Sequence, residues 1–231
     1  MAQILEDVTF LGTLPKPKFG NQYEFVVNDF KANNVKVSEC CPIRHGVSWP
    51  EAVVIISQES GSRTIIYNPG EQAPLKVSEF VLALESMPSY LKWIHFEARP
   101  FVKDMLSYLH SERKVAPEIV SIEIEKANQG FENLIPYGDV VFISQDVSES
   151  NGAKSLKEAL EFFKRHQRKP KSILICTWGH KGAGAIDQNG QVLFVQAELV
   201  SNIIDSCGAG DTFTGKSLSE ALLFAKHGKN M

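Results

Sequence analysis

Short β-branched apolar runs alternate with segments of helical periodicity along most of this chain. Phe10-Leu11-Gly12-Thr13 reads as an apolar strand end running into a turn, and residues 23–31 then place Phe25, Val26 and Phe30 at helical spacing. Val53-Val54-Ile55-Ile56 and Thr64-Ile65-Ile66-Tyr67 flank Glu59-Ser60-Gly61-Ser62-Arg63, the pattern of two strands joined by a glycine-containing loop. Further on, Trp93-Ile94-His95-Phe96, residues 119–124, Asp139-Val140-Val141-Phe142-Ile143 and Ser172-Ile173-Leu174-Ile175-Cys176 read as strands. Between them, residues 100–110 carry Phe101, Met105 and Leu109 on one stripe. Residues 131–135 form a short helix candidate, and residues 155–166 a helix with Leu156, Ala159, Leu160 and Phe163 inward. Strands in alternation with helices predict βαβ units: an α/β fold with a mostly parallel sheet covered by helices, and the early hairpin as an antiparallel addition.

Composition narrows the function classes. The 231 residues are 43% hydrophobic and 22% charged, with a net charge of -3 and both signs interspersed. That size buries one substantial core, so a single domain spanning residues 1–231 is expected. No basic face is available for nucleic acid, and no apolar stretch approaches the length of a membrane span. A cytoplasmic protein is expected. Cys40, Cys41, Cys176 and Cys207 lack metal-ligand spacing and read as reduced thiols, with no metal site assigned.

Chemistry concentrates in Asp205-Ser206-Cys207-Gly208-Ala209-Gly210-Asp211-Thr212-Phe213. Two glycines around one small residue let the backbone turn sharply and approach a ligand. A helix starting there presents unpaired N–H groups, which make an anion site. A carboxylate beside a bound phosphate suits a base that takes a proton from an attacking hydroxyl. On spacing alone, a plain glycine-rich helix start capped by Asp211 is the commoner outcome.

The full string matches, nearly residue for residue, the signature of the ribokinase-like carbohydrate kinase family. The resemblance implies Asp211 as catalytic base and Gly208, Ala209 and Gly210 as anion hole. Ser60-Gly61-Ser62-Arg63-Thr64-Ile65, Lys92-Trp93-Ile94-His95, Tyr137-Gly138-Asp139-Val140-Val141-Phe142 and Cys176-Thr177-Trp178 look like the ketohexokinase branch of that family. The likeness runs from about Phe10 to Phe224. It implies a ribokinase-like fold with a β lid, here the hairpin at about 47–69, and transfer of the ATP γ-phosphate to the 1-hydroxyl of a ketohexose such as fructose. Mg²⁺ and stimulation by K⁺ go with it, and family members pair through the lid. It also places Arg63, Thr177, Gly179 and Gly182 at the nucleotide, the last three around Gly179-His180-Lys181-Gly182-Ala183-Gly184. His95 and Glu97 end a strand where α/β ligand sites lie, although a satisfied core histidine is the commoner role. The family's usual N-x-x-E metal-phosphate motif would fall near Ser144-Gln145-Asp146-Val147 and is absent in that form, a divergence shared with ketohexokinases; the resemblance leaves Asp146 to substitute through water.

Three departures are expected to weigh on activity. The chain starts after the strands that carry the family's sugar-binding residues, so no substrate-binding residue is assigned. Ser217 and Glu220 spell a capping box, which predicts a loop at Gly215-Lys216 and leaves the anion-hole helix a single turn. The sequence stops at Met231, before the family's closing segments. The alternatives are a non-catalytic, nucleotide-binding or dimer-forming relative, and a kinase of ribose or a nucleoside.

Overall fold

The computed structural model describes residues 7–57, 63–87, 91–111, 117–127, 130–165, 169, 171–198, 200 and 207–227. The chain divides into two compact units, residues 76–200 and residues 1–75 with 201–231.

In the unit of residues 76–200, four parallel strands, β7 (Trp93–Glu97), β8 (Ile119–Ile124), β9 (Val140–Ile143) and β10 (Ile173–Thr177), stand side by side in chain order. Two further strands, β11 (Ala183–Ile186) and β12 (Val192–Val195), extend this sheet as an antiparallel hairpin, giving the order β12-β11-β10-β9-β8-β7. Helices α2 (Val77–Ser86), α3 (Val102–Ser111), α4 (Gln145–Ser150) and α5 (Leu156–Lys164) and a 3-10 helix over Phe131–Tyr137 connect the strands.

Register explains why these runs are apolar at alternate positions. Phe96, Ile122, Val141, Leu174 and Ile186 lie opposite one another across five strands, and all are buried. Side chains two residues apart share a face, so Ile124, Ile143 and Cys176 form the next row of the same apolar face. Helix α5 supplies buried Ala159, Leu160 and Phe163, and α3 supplies buried Met105, Leu106 and Leu109. The start of α5 was legible because Ser155 is a strong N-cap, its Oγ accepting from the Glu158 N–H at 3.2 Å.

One expected stripe residue is corrected. Phe101 lies before α3, at φ +70° and 48% exposed, with the Met105 N–H donating to its carbonyl at 3.2 Å. Its place at the helix start satisfies the first turn, and Leu106 takes the core position instead.

In the other unit, β1 (Val8–Phe10) pairs in parallel with β3 (Val35–Val37) across helix α1 (Gln22–Ala32). Strand β2 (Leu14–Lys16) pairs in parallel with β4 (Ile43–His45). The expected hairpin is present as β5 (Glu51–Ile56) antiparallel to β6 (Arg63–Asn68), with Glu51 opposite Asn68 and Ile56 opposite Arg63. Its apolar side chains stay in solvent, Val53 being 60% and Ile66 59% exposed. The tip, residues 58–62, lies outside the described residues.

Helix α6 (Ala209–His227) brings the second correction. It is continuous over 19 residues, so Gly215 and Lys216 are helical and no loop interrupts the helix beyond the glycine turn. The Ser219 hydroxyl donates to the Lys216 carbonyl at 2.7 Å, and Lys216 pairs with Glu220 at 2.6 Å on the helix surface. A glycine inside a helix costs only about 1 kcal/mol relative to alanine. Thr214, Gly215, Leu218 and Ser219 are buried, and that burial overrides a local stop signal.

All four cysteines are thiols rather than disulfides. Burial pushes the Cys176 thiol up to about 12, against a hydrogen bond with the Ser148 side chain. The folded state therefore holds this proton after the unfolded chain has released it. The unfolded chain binds fewer protons as pH rises, so this contribution is intact below about pH 9 and is lost progressively towards about 12. Urea denaturation between pH 8 and 11 (about three units, within which one unit is worth ~1.4 kcal/mol per proton) is expected to show falling stability. In Cys176→Ala the slope is expected to flatten.

Candidate active site

The glycine turn leads directly into α6. Gly208 has φ +72°, a left-handed conformation that side-chain-bearing residues rarely adopt. Its carbonyl accepts the first intrahelical bond from the Thr212 N–H at 2.9 Å, and the Thr212 hydroxyl donates to it at 2.8 Å. The N–H groups of Ala209, Gly210 and Asp211 therefore precede the first hydrogen-bonded turn and are the orphan donors of a helix start. Among the described residues nothing lies within 4 Å of a Cβ built on Gly210, so they leave the backbone open there. A Cβ on Gly208 would stand 3.9 Å from Asp211 Oδ2, which puts the carboxylate beside the turn. Residues 207–213 are exposed.

A group with these parts can receive an anion on its amides and hold a hydroxyl against a carboxylate. The long helix matters because partial positive charge at an N-terminus needs aligned peptide dipoles behind it. Asp205 and Ser206, also part of the sequence motif, lie outside the described residues.

The other unit carries a second loop at the carboxyl end of its parallel strands, where ligand crevices of open α/β sheets form. Thr177 ends β10, and buried Trp178 anchors the turn. The Trp178 N–H donates to the Gly182 carbonyl at 2.8 Å, the Lys181 N–H to the Trp178 carbonyl at 3.0 Å, and the Gly182 N–H to the Gly179 carbonyl at 3.1 Å. Gly182, at φ +100°, presses on the following hairpin: a Cβ there would lie 2.0 Å from the Val195 carbonyl oxygen. Gly179 neighbours α4, a Cβ at this position coming 3.5 Å from Gln145 Oε1. Ser144 caps α4 through the Val147 N–H at 3.2 Å, and Asp146 lies in its first turn.

Within each unit the named residues gather: Gly208, Ala209, Gly210 and Asp211 in one turn, and Thr177, Gly179 and Gly182 in one loop. Arg63 opens β6 in the hairpin. His95 is engaged, its Nδ1 2.7 Å from Ser121 Oγ and its Nε2 3.6 Å from Glu123 Oε2. The same Ser121 Oγ accepts from Trp93 Nε1 at 2.7 Å. Glu97 pairs with Arg99. Sequence reasoning missed Ser121. Ser121 sits in an apolar strand pattern, and only the register that sets it opposite His95 reveals it. Among the described residues no group of three His, Cys, Asp or Glu side chains gathers as a metal cage. Mg²⁺ in nucleotide kinases rests mainly on phosphates and water with one or two carboxylates, and Asp146 alone is compatible with that mode.

A mixed sheet with flanking helices and a glycine turn opening a helix that carries an aspartate define a ribokinase-like kinase fold. Residues 1–227 match the pfkB family of carbohydrate kinases, and the chain belongs to that family. It is 32% identical to the ketohexokinase of Mus musculus over 231 residues, covering 93% of this chain and 74% of that protein. Solved structures that share the fold include two kinases. The adenosine kinase of Schistosoma mansoni in complex with 2-fluoroadenosine superposes with a TM-score of 0.74 at 16% identity, over 93% of this chain and 67% of that one. A fructokinase double mutant of Vibrio cholerae O395, bound to fructose, ADP and potassium ion, superposes with a TM-score of 0.64 at 20% identity, over 94% and 71%. No helix among the described residues is long and apolar enough to cross a membrane.

Proposed function

We propose that this chain is an ATP-dependent sugar kinase that phosphorylates the 1-hydroxyl of fructose. The observation that carries this reading is the Gly208 turn, which sets the amides of Ala209 and Gly210 and the carboxylate of Asp211 at the start of one long helix. The 32% identity to a ketohexokinase supports the choice of sugar.

In this reading the backbone of Gly208, Ala209 and Gly210 forms the hole that receives negative charge building on the transferred phosphoryl group. Asp211 accepts the proton of the sugar hydroxyl, the alkoxide-like oxygen bonds to the γ-phosphorus, and the bond to the bridging oxygen of ADP breaks. Thr177, Gly179 and Gly182 shape a loop that lies along the nucleotide, with Arg63 assigned to its phosphates. Mg²⁺, when bound, neutralises phosphate charge, and Asp146 would hold it through water. K⁺ is the expected accompanying monovalent ion, in keeping with the potassium in the Vibrio fructokinase structure. Four reduced thiols suit a reducing cytoplasm, and the exposed apolar hairpin β5–β6 supports pairing of two copies through it.

The test is fructose 1-phosphate formation from ATP and fructose by the purified chain, beside parallel reactions with ribose and adenosine. Fructose 1-phosphate as the main product supports the proposal. Phosphorylation of ribose or adenosine in preference overturns the choice of sugar. Nucleotide-dependent stabilisation without any product overturns the catalytic reading in favour of a non-catalytic relative.

A further inference from the structure

Cys40 and Cys41 occupy the turn between β3 and β4, where the chain leaves the β1–β3 pair and joins the β2–β4 pair. The Cys41 N–H donates to the Ser38 carbonyl at 2.9 Å, closing a four-residue turn, and the Cys40 N–H donates to Ser38 Oγ at 3.2 Å. Both pairs are tied to this segment: the Ser38 N–H donates to the Phe10 carbonyl at 3.0 Å, and the Leu14 N–H to the Pro42 carbonyl at 3.0 Å. Cys41 is 8% exposed, and its thiol donates to the Phe10 carbonyl at 3.4 Å. Cys40 is half-buried. One thiol is thus held by the backbone while its neighbour in sequence is reachable from solvent.

The chemistry of two adjacent thiols is selective. A disulfide favours Cα separations of about 4.4–6.8 Å, whereas consecutive Cα atoms are about 3.8 Å apart, so direct S–S closure is strained. Zn²⁺ binds thiolates and takes four ligands, and no third His, Cys, Asp or Glu joins this pair among the described residues. Burial also pushes the Cys41 thiol up, against hydrogen bonds from the backbone of Gly12 and Ser38, which favours partners that leave no charge on sulfur. A single soft atom that bonds two neutral thiols meets all three conditions.

We propose that Cys40 and Cys41 form a vicinal dithiol site for monosubstituted trivalent arsenicals. In the step, two S–H bonds break and two As–S bonds form, and the oxygen of the arsenoso group leaves as water with both thiol protons. Arsenic stays trivalent and no electrons are exchanged, so the reaction needs no oxidant. The product is neutral and suits the half-buried turn.

Phenylarsine oxide added to the full, reduced chain provides the test. Intact mass spectrometry is expected to find one phenylarsenic group per chain with loss of one water. The titratable thiols of the denatured adduct are expected to fall by two. A dithiol such as 2,3-dimercaptopropanol removes the group, and excess glutathione does not. Cys40→Ser, which alters only the half-buried partner and is expected to fold, loses the adduct, as does Cys41→Ala, while Cys207→Ser keeps it. An adduct that persists in Cys40→Ser or comes off with glutathione overturns the proposal. So does recovery of a Cys40–Cys41 disulfide as the main form of the untreated protein.

Discussion

Asp211→Asn is expected to lower the rate of fructose phosphorylation by about 10²–10⁴-fold, the usual contribution of a positioned general base. The substitution keeps the shape of the side chain and removes its capacity to take a proton. It also removes a negative charge from the first turn of α6, which is worth at most about 1 kcal/mol at an exposed helix N-terminus. The thermal midpoint is therefore expected to move little, and nucleotide-dependent stabilisation to persist. Those two controls separate loss of chemistry from loss of fold. Steady-state release of ADP in the presence of fructose measures the effect. A variant that keeps wild-type turnover would remove Asp211 from the base role.

The α/β character of the chain was legible because local pattern and burial agree along β7 to β10. Each of these runs has residues such as Ile122, Val141 and Leu174 at the alternate positions that the register sets opposite one another. The start of α5 was equally legible, since Ser155 has no better place than the cap it occupies. The reading failed where tertiary packing decided the outcome. Gly215 and Ser217 carry a local helix-stop and helix-start signal, yet Thr214 and Leu218 on either side are buried and the helix runs through. Helix α2 went unread because its cap is Lys76, which sends no N-cap signal; the Lys76 N–H instead donates to the Glu79 carboxylate at 2.9 Å.

The site divides along the same line. The glycine turn and Asp211 were readable from a contiguous string, because backbone conformation there is imposed by residue type. Ser121 was not, because its relevance comes from its register against a strand distant in sequence. The Gly215 correction also bears on function. A one-turn helix would have offered few aligned dipoles behind the amides of Ala209 and Gly210, and the 19-residue helix removes that objection to an anion hole.

Gly182→Ala carries the largest expected effect on stability, about 3 kcal/mol or more. The added methyl would meet the Val195 carbonyl oxygen at 2.0 Å and the Ala197 nitrogen at 2.9 Å, and these backbone atoms belong to β12 and the residues after it. A flexible side chain could swing away, but a strand carbonyl moves only if the hairpin opens. The positive φ of Gly182 adds strain that alanine cannot relieve without turning the chain at Trp178, whose N–H bonds to the Gly182 carbonyl and whose ring is buried. Gly179→Ala provides the comparison, since its methyl would come only as near as 3.5 Å to a side-chain oxygen of Gln145. That variant is expected to lose about 1–2 kcal/mol, the cost of a left-handed alanine. Urea denaturation of the two proteins measures the difference. Equal losses would mean that the contact between this loop and β12 contributes nothing. A much larger loss in Gly182→Ala would mean that the loop's shape is held from β12, so that substitutions in that strand reach the loop between Thr177 and Gly182.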